Sequence, residues 1–100
     1  MSYWVYIITN RPYGTLYVGM TGDLERRVWQ HKTGALEGFS KRYGLKQLVY
    51  VEQFRNVTSA IERETHIKGW LRKRKIELIN KANPLWRDLS KGWYDDTPVG

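Results

Sequence analysis

Residues 3–20 read Tyr-Trp-Val-Tyr-Ile-Ile-Thr-Asn-Arg-Pro-Tyr-Gly-Thr-Leu-Tyr-Val-Gly-Met. The first seven are β-branched or aromatic and apolar on both alternating faces, the pattern of a strand covered on both sides. Asn10-Arg11-Pro12-Tyr13-Gly14 gathers turn formers, and Leu16 to Met20 reads as a second strand, so the stretch predicts a hairpin. Gly19, inside that second strand, marks a bulge or a place where another group must approach the backbone closely.

Downstream, Asp23 fits the N-cap of a helix running to Lys32 or Thr33, with Gly34 as its stop. Residues 35–46 carry Gly38 and Gly44 and read as loop with one helical turn. Leu48 to Phe54 is a third strand. Ser59-Ala60-Ile61-Glu62 matches a capping box, and the helix it opens is expected to reach Arg72 or beyond, with Gly69 a weak point. A shorter helix over 75–82 ends before Asn83-Pro84, because proline disfavours helix in the residue before it. The order β-β-α-β-α-α predicts an α+β domain: a small three-stranded, mainly antiparallel sheet flanked by helices. The domain is expected over residues 1–89, with a C-terminal tail over 90–100 that frays at Asp95-Asp96-Thr97-Pro98.

One hundred residues suffice for one domain. Seventeen Lys+Arg against ten Asp+Glu leave a net charge of +7, which suits a polyanionic partner, most simply nucleic acid. The absence of cysteine excludes a disulfide framework, thiolate zinc sites and a cysteine nucleophile. No apolar run approaches the roughly 20 residues that span a bilayer, and Met1-Ser2-Tyr3-Trp4 does not resemble a secretory signal. The expectation is a cytoplasmic protein without a membrane partner. Its charge is uneven: between Arg63 and Lys81 stand seven basic residues and two acidic ones, so five of the seven net charges fall there. The Arg72-Lys73-Arg74-Lys75 run is either a solvated helix end, where positive charge suits the dipole, or, with Arg26 and Lys68, a phosphate-tracking surface. Trp29, Phe39, Tyr43 and Trp70 either pack the core or stack on unpaired bases.

Helical periodicity singles out a few polar residues. Arg27 and His31 border the apolar stripe of the first helix instead of facing open water, as an arginine snorkelling along the core edge and a histidine hydrogen-bonded nearby would. In the helix after the third strand, Glu64 falls inside the apolar arc that holds Ala60, Ile67 and Leu71, whereas Glu62 points outward. A carboxylate carried toward a core needs a compensating cation. That cation is either Arg27 or Arg63 in an internal ion pair, or a metal at a cleft. Tyr6 and Tyr17, on paired strands, are either core residues or hydroxyls converging on one patch.

These residues together resemble the GIY-YIG endonuclease domain, particularly its single-domain bacterial UPF0213 (YhbQ-like) branch, itself similar to the nuclease domain of the SLX1 structure-specific endonucleases. The matching segments are Trp4-Val5-Tyr6, Tyr17-Val18-Gly19, Gly22 to His31, Ala60 to Trp70, and Asn83-Pro84-Leu85-Trp86. The chain departs from the signature at Trp4 and Val5, where glycine and isoleucine are usual, and at Met20, where some relatives carry lysine. The resemblance implies a general-base role for one tyrosine, Tyr6, with Tyr17 positioning the water. It implies that Arg27 holds the scissile phosphate and that His31 contacts the base tyrosine or the phosphate. Glu64 would bind a single Mg²⁺ or Mn²⁺, with Gly19 and Asn83 as structural support. The implied activity is metal-dependent DNA endonuclease, in repair or recombination, on branched or nicked DNA, with a partner protein supplying targeting. The alternatives are a non-catalytic nucleic-acid-binding module and an accessory subunit active only in a complex.

Overall fold

The structure is a computed structural model that describes residues 1–94. The frayed tail expected at 95–98 lies outside those residues. The chain builds β1 (Tyr3–Thr9), β2 (Leu16–Thr21), α1 (Leu24–Thr33), α2 (Phe39–Tyr43), β3 (Gln47–Phe54), α3 (Val57–Gly69) and α4 (Arg72–Ala82). The sheet is antiparallel throughout, in the order β2-β1-β3. The doubly apolar β1 is accordingly the central strand, with Val5 to Thr9 buried. The architecture is the expected α+β fold, with α2 supplying the helical turn expected in residues 35–46.

Local chemistry accounts for most of the boundaries. Asp23 accepts from the Arg26 amide at 3.2 Å and starts α1, and Gly34 ends it in the left-handed region at φ 73°. The capping box at Ser59–Glu62 does not form. Asn56 accepts from the amides of Thr58 (2.7 Å) and Ser59 (3.2 Å), so the N-cap lies three residues earlier and α3 begins at Val57. Asparagine caps as well as serine does, and the extended backbone leaving β3 reaches Asn56 first.

The expected run of this helix to Arg72 is also corrected. Trp70 and Leu71 are both extended, with ψ near 154° and 152°, and α4 starts at Arg72 instead of near residue 75. Leu71, expected on the apolar arc, is 82% exposed. The indole that causes this break packs against the core with Arg74 4.0 Å above its ring centre. Past residue 89 the chain still touches the domain: Ser90 is buried, and the Tyr94 hydroxyl donates to the Glu25 carbonyl at 2.6 Å.

Two layers of core flank the sheet. Val5, Ile7, Val18 and Val49 meet Ala60, Ile67, Ile79 and Trp86 on the α3/α4 side. Tyr6, Ile8 and Leu48 meet Leu24, Val28 and Leu45 on the α1 side. No helix among the described residues is long and apolar enough to cross a membrane.

Candidate active site

The antiparallel register pairs Tyr6 with Gly19 and Ile8 with Tyr17, which puts both tyrosines on the α1-facing side of the sheet. Their ring centres lie 6.4 Å apart. Gly19 leaves the space for this: a methyl there would sit 2.5 Å from the Tyr6 hydroxyl oxygen and 3.0 Å from the Tyr17 ring. A single Cβ at position 19 would therefore collide with both aromatic groups. His31, one turn after Arg27 on α1, completes the cluster, with its ring 5.6 Å from each tyrosine ring.

The polar atoms form a chain. The Tyr6 hydroxyl is 2.9 Å from His31 Nε2, and His31 Nδ1 is 2.8 Å from Ser40 Oγ on α2. Burial and the positive Arg27 guanidinium push His31 down from 6.5 to about 4, so the imidazole is neutral at neutral pH. A neutral imidazole donates through one nitrogen and accepts through the other, which lets it link two hydroxyls. Burial first, and then the electrostatic influence of Tyr17 and of the Glu64 carboxylate, push the Tyr6 phenol well above its usual range, with Arg27 opposing. Tyr6 has no exposed surface. By contrast, Tyr17 lines a cavity of about 180 Å³ with Arg27, His31, Leu36, Phe39 and Ser40.

Glu64 reaches this cluster from α3, which packs against the edge strand β2. Its side chain is 20% exposed and pairs with Lys68, one turn on, at 3.2 Å. The lysine ammonium lies 6.0 Å from the Tyr17 ring centre. Neither internal partner expected from the sequence is the one found. Arg63 instead grips Glu52 through Nε at 2.8 Å and Nη2 at 3.1 Å. No group of three or more acidic or histidine side chains that could hold a metal occurs among the described residues. The single Glu64 carboxylate, paired only with a half-exposed and flexible lysine, fits a hydrated Mg²⁺-type cation that takes its remaining ligands from water and substrate. It does not fit an all-protein cage.

The structure therefore brings Tyr6, Tyr17, Gly19, Arg27, His31 and Glu64 together with Lys68. Asn83 lies elsewhere, buried at the end of α4. Its amide donates to the carbonyls of Val49 (3.0 Å) and Arg87 (2.9 Å), tying the chain after α4 to β3. The other basic candidates do not share one face. Arg72 donates to the carbonyls of Tyr13 and Gly14, bracing the β1–β2 turn. Arg74 stacks on Trp70, Lys75 is half-buried and Lys73 is exposed. Arg26 is exposed beside a shallow pocket that it shares with Thr21, Asp23, Arg27 and Gln30. Ser40 is the site residue that the sequence reading missed. Its only signal was a serine among the glycines of residues 35–46.

A small antiparallel sheet with two strand tyrosines, an arginine and a histidine one turn apart, and a lone carboxylate on a crossing helix is the arrangement that the sequence resemblance to a nuclease-type domain implied. The GIY-YIG catalytic domain family matches residues 2–77, and the chain belongs to that family. It is 34% identical over 81 residues to a UPF0213 protein of Staphylococcus saprophyticus, covering 81% of this chain and 98% of that one. To a UPF0213 protein of Clostridium perfringens it is 36% identical over 83 residues, covering 83% and 87%. The solution NMR structure of a UPF0213 protein from Bacillus halodurans superposes with a TM-score of 0.57 at 25% identity, over 92% of this chain and 98% of that one. The family supports an endonuclease type of function.

Proposed function

We propose that the protein is a divalent-metal-dependent endonuclease that hydrolyses DNA phosphodiester bonds in the cleft between α1, α2 and the β1–β2 hairpin. The observation that carries this reading is the meeting of Tyr17, Arg27 and His31 in one cavity, with Glu64 near enough to act on the Tyr6 phenol and paired with a lysine that lies over the Tyr17 ring. Arg27 binds the scissile phosphate, since its planar fork matches two phosphate oxygens. Glu64 holds a single Mg²⁺ or Mn²⁺, with Lys68 yielding its place on the carboxylate. The cation, when bound, supplies Lewis-acid stabilisation of the charge that builds on the phosphate and leaving oxygen.

The general-base role that the resemblance implied for Tyr6 is reassigned. A fully enclosed phenol whose proton is held more tightly than usual cannot meet a water in this arrangement. Tyr17 lines the cleft, so as a phenolate its oxygen would orient the attacking water, take up the water's proton and become the neutral phenol, while the hydroxide bonds to phosphorus and the leaving oxygen departs. Tyr6, His31 and Ser40 act as a hydrogen-bonded wall that fixes the place of Tyr17 and Arg27. Arg26, exposed beside Arg27, and Lys68, exposed beside Tyr17, hold the DNA backbone without reading its sequence. Branched or nicked DNA, repair or recombination, and a targeting partner complete the proposal.

Purified protein with Mg²⁺ or Mn²⁺ is expected to nick supercoiled plasmid. Glu64→Ala and Arg27→Ala should remove that activity while circular dichroism and melting remain like the parent's. Cleavage by both variants at the parent's rate would sink the assignment. Salt-dependent DNA binding, indifferent to EDTA and without cleavage of any substrate, would leave a binding module instead.

A further inference from the structure

The five-residue α2 carries two large aromatic side chains to the surface. Phe39 and Tyr43 are each 46% exposed and belong to neither core cluster. Their ring centres lie 4.7 Å apart. Phe39 in turn lies 6.3 Å from Tyr17, with 28° between the ring planes. The three rings thus make a continuous row from the cleft outward. Arg42 places its guanidinium 5.9 Å from the Tyr43 ring centre. An open groove of about 730 Å³ runs along this row, bordered by Gly38, Phe39, Lys41, Arg42 and Tyr43. It shares Phe39 and Glu37 with the cavity that holds Arg27 and His31.

We propose that Tyr17, Phe39 and Tyr43 form a ledge on which an unpaired nucleobase of a DNA strand stacks, next to the phosphate held at Arg27. The placement of that phosphate rests on the nuclease reading above. Every base has a π-face, so an aromatic row holds bases with little regard to sequence. In a duplex each face is already stacked on its neighbours, and only an unpaired base can reach the ledge. The charge of the rim agrees with a nucleic-acid strand: Arg42 pairs with no carboxylate among the described residues, while Glu37, the rim's acidic residue, is met by Lys41 at 3.4 Å. The substrate class that follows is DNA with a single-stranded portion, such as a flap, gap or free strand, in preference to intact duplex.

The test measures binding in EDTA, where no cleavage occurs. A short single strand with a central 2-aminopurine and the matching blunt duplex are titrated against the parent and against Phe39→Ala, Tyr43→Ala and Phe39→Trp. The parent should quench the 2-aminopurine of the single strand. Each alanine variant should bind that strand more weakly by on the order of ten-fold, with duplex binding little changed. Phe39→Trp should retain tight binding, which separates a lost ring from a misfolded helix. Alanine variants that bind the single strand as tightly as the parent would overturn the proposal, as would equal losses on strand and duplex. The plasmid-nicking test of Glu64→Ala is independent of these titrations, so the ledge and the nuclease reading can fail separately.

Discussion

Against α3 and α4 the sheet turns Val5, Ile7, Val18 and Val49, and the helices answer with Ala60, Ile67 and Ile79, hydrocarbon on hydrocarbon. Against α1 and α2 it turns Tyr6 and Tyr17, and the helices answer with Arg27, His31 and Ser40 beside Leu24 and Val28. The first side gains from the removal of apolar area from water, roughly 25 cal/mol per Å². The second buries hydroxyls and an imidazole, each of which needs a partner to offset its desolvation. No buried side-chain nitrogen or oxygen among the described residues lacks one. The difference teaches how one hundred residues hold both a core and a reactive cleft: both faces of the sheet bury apolar side chains, and the α1 face adds the Tyr6–His31–Ser40 polar chain to its own. The one long crossing is Glu64, which α3 delivers past the β2 edge.

Substitutions on the two sides should therefore fail in different ways. The largest effect is expected from Tyr17→Phe, which removes the one tyrosine hydroxyl that borders the cleft. Cleavage should fall by about 10²–10⁴-fold, the range for loss of a proton-transfer group, with the melting temperature nearly unchanged. Single-turnover nicking assays check this, and a variant as fast as the parent would return the base role to another group. Ile67→Ala, on the opposite side, should lower stability by about 2–5 kcal/mol without changing the rate per folded molecule. Urea melts read the first quantity, and nicking at low temperature reads the second. Gly19→Ala mixes the two outcomes. The added methyl meets a tyrosine ring that is held by His31, so overpacking should cost about 1–3 kcal/mol and displace the cleft as well.

A smaller effect follows from His31. Its folded-state value is about 4 against 6.5 for a free histidine. The folded protein therefore resists the proton that the unfolded chain accepts. The stability linked to neutral His31 is complete above pH 6.5 and is lost as the pH falls from 6.5 toward 4. Urea midpoints at pH 7.5 and 5.5 should differ in the parent and differ less in His31→Gln. Equal pH slopes in the two proteins would show that another group carries the effect.

The hairpin and its partner helix were legible because their signals are local. The doubly apolar run over Tyr3–Thr9 and the Asp23 and Gly34 caps act within a few residues of themselves. Glu64 was legible as a carboxylate on an apolar face, and its partner Lys68 stood one helical turn away, a spacing at which opposite charges commonly meet. What escaped is decided at a distance. Asn56 outcompetes Ser59 because of where β3 releases the chain. The break at Trp70–Leu71 forms because the indole seats against the core between Arg63 and Arg74. The contrast between an enclosed Tyr6 and a cleft-facing Tyr17 depends on which strand lies at the sheet's centre. The doubly apolar run of β1 signals the central strand, but nothing along β2 shows that Tyr17 faces a cleft.

Ser40 gives the finest test of the contrast between the two sides. It is nine residues from His31, buried, and placed by a helix of one turn that begins after Gly38. Its hydroxyl meets the imidazole nitrogen that Tyr6 does not use, so it biases which nitrogen of the neutral ring carries the proton. Ser40→Ala should cost about 0.5–1.5 kcal/mol of stability, the net worth of one such hydrogen bond. That loss alone would look like any other on the apolar side. The distinguishing readout is nitrogen NMR of His31, whose tautomer populations should shift in Ser40→Ala and return toward the parent's in Ser40→Thr. A stability loss with unchanged tautomers would make Ser40 a packing residue and end the wall at His31.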